Sequence, residues 1–272
     1  MNSSHGLIYS RSRCGKTTFA ASFHKPEAPL WVVTREPGPA KAGLDEAKLD
    51  VPITVPQTPE ELFVLLEYPL AYLDKHLNGY RPGTILFDNL RPFQVLIIGE
   101  PEAPEREVAG IKIPKQTATG IMRLPNSRDA GAPGLPALKD YRTLDRQTRR
   151  LVTAIDQLPF HTIITAHEDI GYDARTRLDT SGMDPKQAAA RKRTLKGFPS
   201  LEGFEIRDDL PGLVSHYFFR LSEANDVYTI NAKQHVDSDG INWFADARGL
   251  KLPSSTINWT NKSAYDILLG GR

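Results

Sequence analysis

Residues 10–18 read Ser10-Arg11-Ser12-Arg13-Cys14-Gly15-Lys16-Thr17-Thr18, directly after the apolar run Leu7-Ile8-Tyr9. This is the second half of a phosphate-binding loop, G-x-x-x-x-G-K-[ST] set between a strand and a helix. Gly15, Lys16 and Thr17 fit the pattern, and Ser10 stands where the first glycine belongs. Backbone N–H groups and the start of the following helix attract phosphate oxygens. The lysine adds positive charge near the outer phosphates, and the threonine hydroxyl is a Mg²⁺ ligand. Arg13, Cys14, Gly15, Lys16, Thr17 and Thr18 are therefore the expected nucleotide contacts, with ATP and Mg²⁺ as cofactors. Ser10, Arg11 and Arg13 leave two outcomes open: a weakened loop, or one that uses its arginines on phosphate. Cys14 is expected to favour the thiolate beside a helix start, so that alkylation blocks nucleotide binding and Mg-ATP protects the thiol.

A strand tip next to such a loop commonly supplies a carboxylate that holds Mg²⁺ through water. Thr84-Ile85-Leu86-Phe87-Asp88 is a buried strand ending in one. Thr17 and Asp88 are thus the metal pair. Asn89 follows, so a hydrolytic base must come from elsewhere. Glu36, just past Val33-Thr34-Arg35, is the first choice. Glu168 in Thr165-Ala166-His167-Glu168 is the alternative, and His167 is placed to sense the γ-phosphate.

The elements that position these residues are strands at Gly6–Tyr9, Leu30–Thr34, Thr84–Phe87 and Phe160–Ala166. Helices are predicted over Thr17–Phe23, Pro59–Leu77 and Leu138–Leu158. A later antiparallel pair is predicted at Leu213–Leu221 and Val227–Ala232. Alternating strands and helices predict an α/β fold with a mainly parallel sheet and helices on both faces. With 272 residues, the chain reads as one domain over 1–272, carrying long loops at about 99–137 and 171–211.

Net charge is +1, so any nucleic-acid contact must be a local patch. The patch expected is Lys186, Arg191, Lys192, Arg193 and Lys196, with Tyr172, Phe198 and Phe204 available to stack on bases. The one cysteine excludes an intrachain disulfide and fits a reducing compartment. With no membrane-length apolar run and a polar N-terminus, the expected location is the cytoplasm.

The order GKTT, strand-Glu36, TILFDNL and TIITAHED resembles the RecA-like ATPases of bacteriophages, above all the core-only recombinases associated with single-strand annealing. Phe244-Ala245-Asp246-Ala247-Arg248-Gly249-Leu250-Lys251-Leu252-Pro253 is similar to that family's late Lys-x-Arg-Gly segment, with Asp246 in place of the lysine. The resemblance implies a RecA-like P-loop core and ATP bound between subunits of a ring or filament. Arg248 would act on the neighbour's γ-phosphate, and partners would be single-stranded DNA and a single-strand-binding protein, in the host cytoplasm. The function implied is DNA-stimulated ATP hydrolysis in recombination or replication, through annealing or strand exchange. The alternative is a nucleotide-gated assembly scaffold with a degenerate loop, and a nucleotide kinase ranks below both.

Overall fold

Strands β1 (His5–Ser10), β2 (Leu30–Thr34) and β4 (Thr84–Asp88) are apolar on both faces and lie buried. They are what a strand covered on both sides must be. The computed structural model describes residues 3–98, 106–108, 111–113, 138–172, 195–201, 204–225, 227–248, 250–260 and 263–269. The other strands are β3 (Ile53–Thr54), β5 (Arg106–Val108), β6 (Ile111–Ile113), β7 (His161–Tyr172), β8 (Leu195–Pro199), β9 (Tyr217–Ala224), β10 (Val227–Asn231), β11 (Lys233–Val236), β12 (Asn242–Asp246) and β13 (Thr256–Asn258). Helices are α1 (Lys16–Ala21), α2 (Pro37–Glu46), α3 (Pro59–Glu67), α4 (Pro69–His76), α5 (Leu90–Ile98), α6 (Leu138–Asp156), α7 (Phe204–Leu213) and α8 (Ala264–Leu269).

The expected RecA-like core, a mainly parallel sheet between helix layers, is overturned by how the sheet closes. β1 pairs in parallel with both β7 and β9. β7 does not stop at Ala166. It runs on to Tyr172, and its extension Glu168–Tyr172 pairs antiparallel with β8. β8 meets β12, and β12 meets β9 antiparallel. Strands β1, β7, β8, β12 and β9 thereby form a closed five-stranded mixed barrel. The stretch at 171–211 is accordingly not a loop throughout, since it contains β8 and the start of α7. Hairpin β9–β10 and the β10–β13 and β11–β12 pairs add further antiparallel edges.

Closure requires a small residue where β8 and β12 touch. Trp243 pairs with Gly197 across the two strands, and a Cβ on Gly197 would stand 2.0 Å from the indole. The buried indole also packs against Tyr9, with centroids 6.3 Å apart. Its Nε1 donates to Asp237 Oδ2 at 2.6 Å, in the turn before β12. Two apolar layers flank β1. Leu7 and Tyr9 join Phe218, Trp243 and residues of α3, α5 and α6 on one side. Ile8 joins Phe19, Tyr217, Phe219 and residues of α2 and α8 on the other.

The helix predicted over Pro59–Leu77 is two helices. Pro69 cannot donate a backbone hydrogen bond and pushes Tyr68 out of the helical region (φ −129°, ψ 54°), so α3 ends there. At the start of α3 the Thr58 hydroxyl accepts the Glu61 N–H at 3.1 Å, a side-chain N-cap.

At the barrel end opposite the phosphate loop, three histidines pin the start of β1. Ser4 N–H donates to His161 Nδ1 at 3.0 Å, and His5 N–H donates to His216 Nδ1 at 3.2 Å. Both rings must be unprotonated at Nδ1 to accept. Burial first, and then the charges of His216 and His161, hold His5 below the usual histidine pKa, while Asp156 acts the other way. A histidine depressed in the folded state binds fewer protons there than in the unfolded chain. Its stability contribution is full above about pH 6.5 and is lost as pH falls toward the lowered value. Urea midpoints are therefore expected to drop between pH 7.5 and 5.5. His5→Asn should flatten that dependence, and an unchanged slope would contradict the assignment.

Candidate functional site

The loop after β1, the end of β4 and the middle of β7 bring Lys16, Asp88 and His167 together. Ser10 closes β1 in register with His167 of β7. The chain then turns through Arg13 (φ 64°) and Gly15 (φ 74°, ψ 20°) before α1 begins at Lys16. Gly15 is suited to that left-handed conformation. It also lies against Tyr228 and Trp259, whose rings leave a Cβ there only 3.2 and 3.4 Å.

Lys16 is buried, and its ammonium is folded back into its own loop. Nζ donates to Arg11 O at 2.8 Å, Ser10 Oγ at 3.1 Å and Ser10 O at 3.2 Å, and stands 3.5 Å from His167 Nδ1. Three donors meeting three oxygens satisfy the ammonium's hydrogen-bonding capacity. Burial lowers the Lys16 pKa, and the Asp88 carboxylate is the largest influence opposing it. The ammonium is thus held by two carbonyls and a hydroxyl, with the Asp88 carboxylate the largest counter-charge acting on it.

Asp88 is fixed from one side. Its Oδ1 accepts the Thr165 hydroxyl of β7. Thr165 and His167 are two apart on one strand and so share a face, an alternation legible in the sequence but not used above to find Thr165. His167 also lies 3.5 Å from Ser12 Oγ. Burial lowers its pKa, followed by Lys16, with Asp88 raising it and Arg91 lowering it. Thr17 packs its side chain against Gly43 of α2. The hydroxyl and the carboxylate are hard oxygen donors, the chemistry Mg²⁺ takes with phosphate and water. Thr17 and Asp88 are the residues that would hold it. Among the described residues there is no group of three or more His, Cys, Asp or Glu side chains placed to bind a metal.

The remaining sequence candidates scatter. Glu36 is exposed at the N-cap of α2, where its N–H donates to Thr34 Oγ1 at 2.9 Å. Glu168 is 5% exposed and held by two arginines, Arg11 Nε at 2.8 Å and Arg220 Nε at 3.1 Å. Through these two pairs it ties the loop to β9. Arg220 was missed, although a charge inside the apolar run Tyr217–Leu221 is an informative signal. Its guanidinium stacks 3.6 Å over the Trp243 ring and joins the site to the barrel closure. Arg248 (φ 34°) is held within its own chain by Val214 O at 2.6 Å and Asp246 Oδ2 at 3.3 Å. Arg13 and Thr18 are exposed. Lys196 is paired with Asp208 of α7. Lys186, Arg191, Lys192 and Arg193 lie outside the described residues. Phe198 is buried beneath Arg207, whose guanidinium stands 4.5 Å from its ring.

Cys14 departs from the expectation of a favoured thiolate. It is buried, and burial pushes the thiol pKa up, with Lys16 opposing. At neutral pH a maleimide should label the native chain about tenfold or more slower than the urea-unfolded chain, because the thiolate is the reactive form. Equal rates would contradict the placement.

Among the described residues no helix is long and apolar enough to cross a membrane. No protein-family model matches the chain, and no curated protein matches it.

Proposed function

We propose that the chain binds ATP with Mg²⁺ at the Gly15–Lys16–Thr17 loop and hydrolyses it. The observation that carries this reading is the Lys16 ammonium, buried among oxygens of the loop after β1, beside Asp88 at the end of β4 and His167 within β7. A triphosphate offers that cation the anionic oxygens it lacks. Lys16 binds phosphate, Thr17 and Asp88 hold the metal, and His167 contacts the terminal phosphate. Glu36 is the base of this reading, since Glu168 is engaged by two arginines.

Single-stranded DNA is the proposed effector, and a ring or filament of copies is the proposed assembly. Support for both comes from the basic segment 186–196 and from the phage ATPase resemblance. The test is the ATPase rate with and without single-stranded DNA, in wild type and in Lys16→Ala. Hydrolysis that rises with DNA and disappears in the variant is expected. Unchanged rates across all four conditions would overturn the reading.

A nucleotide-weak scaffold is the second reading, and one observation favours it. Ser10, standing in the first-glycine position, supplies two of the three oxygens that hold Lys16 inward. Under this reading Mg-ATP binding is absent while the fold persists.

A further inference from the structure

The loop between β1 and α1 turns through two residues of positive φ, Arg13 (64°) and Gly15 (74°). Gly15 takes that backbone without penalty. At Arg13 the Cβ crowds the following carbonyl, a standing cost that a glycine would not carry. The residues on either side of Arg13 face the site. Ser12 Oγ lies 3.5 Å from His167 Nδ1, and Cys14 is buried within reach of the Lys16 charge.

Other arginines of this region have partners. Arg11 Nε and Arg220 Nε share the Glu168 carboxylate, at 2.8 and 3.1 Å. Arg35 Nη1 donates to Pro56 O at 2.9 Å, and Arg91 Nη1 lies 3.5 Å from Ser200 Oγ. Arg13 is exposed, and among the described residues no hydrogen bond or ion pair holds its guanidinium. Lys16 is buried and meets a ligand from inside the loop, whereas Arg13 offers its charge from the solvent side.

We propose that Arg13 is a phosphate-binding residue of this loop, kept in a backbone conformation that favours glycine because its guanidinium grips the ligand's phosphate chain. This deepens the phosphate-loop reading and rests on it. A forked guanidinium engages two phosphate oxygens at once. Its contact is to phosphate rather than to base or sugar, so inorganic tripolyphosphate gains from it as much as ATP does.

The test is calorimetric titration of Mg-ATP and Mg-tripolyphosphate into wild type, Arg13→Gly and Arg13→Lys, with thermal unfolding of each free chain. In Arg13→Gly, affinity for both ligands should fall about tenfold, the size of one charge-assisted hydrogen bond. The thermal midpoint of the same variant should rise by about 2 °C, as the backbone is relieved. Arg13→Lys should recover part of the binding, and the loss in Arg13→Gly should shrink at high salt. An affinity within about twofold of wild type, a loss confined to ATP, or a loss that accompanies a lower midpoint would overturn this proposal and leave the Lys16 reading standing. A wild-type chain that binds neither ligand would overturn both.

Discussion

Trp243→Ala is expected to lower the stability of the chain by about 3–5 kcal/mol, the range for removing a buried tryptophan. At roughly 2–4 °C per kcal/mol for a domain of this size, the thermal midpoint should fall by about 6–20 °C. The indole fills the junction where β8 and β12 meet and packs against Tyr9. It also receives the Arg220 guanidinium and fixes the Asp237 turn through Nε1. Truncation leaves a cavity, removes a cation–π contact and leaves an aspartate oxygen without its donor. Trp243→Phe keeps the ring over Gly197 and should cost less than half as much. Gly197→Ala attacks the same contact from the other strand, because its methyl would stand 2.0 Å from the ring. Urea unfolding followed by circular dichroism measures all three. A loss under about 1 kcal/mol for Trp243→Ala is what a solvent-side tryptophan would give, and would contradict the closed barrel.

Lys16→Ala is expected to weaken Mg-ATP binding by roughly 30- to 150-fold, or beyond detection. One charge-assisted contact to phosphate is worth about 2–3 kcal/mol, and about 1.4 kcal/mol is a factor of ten. The same change should leave the fold intact. In the free chain the ammonium carries a desolvation cost, visible in its lowered pKa, which its three hydrogen bonds offset. Near-ultraviolet circular dichroism should overlay with wild type. Binding lost together with the fold would point to a structural lysine, whereas binding lost with the fold retained assigns Lys16 to the ligand.

The parts of this architecture legible in the sequence are those whose physics is local. Leu30–Thr34 and Thr84–Asp88 are continuous apolar runs, and each forms a buried strand. Lys16 and Asp88 could be paired because loop, strand and carboxylate each follow from spacing. The barrel could not be read this way. Its closure depends on β8 and β12, two five-residue strands with Gly, Pro, Asn and Asp among them, and on a β7 extension whose polar residues read as loop. Those segments are strands because a partner from elsewhere in the chain supplies the hydrogen bonds, which no local pattern encodes. Glu168 shows the same limit within the site. Its carboxylate looks catalytic beside His167, until Arg220 arrives from 52 residues away. Cys14 shows a competition whose winner depends on burial. A helix start and a lysine favour the thiolate, and burial outweighs them.

The most direct measurement is titration of ATP into the wild-type chain with and without Mg²⁺, repeated with Asp88→Asn. Saturable, Mg²⁺-dependent binding in the micromolar range, about −8 kcal/mol, that collapses in the Asp88 variant is expected. No binding under either condition, or binding indifferent to both Mg²⁺ and Asp88, would contradict a phosphate site built on Lys16 and Asp88.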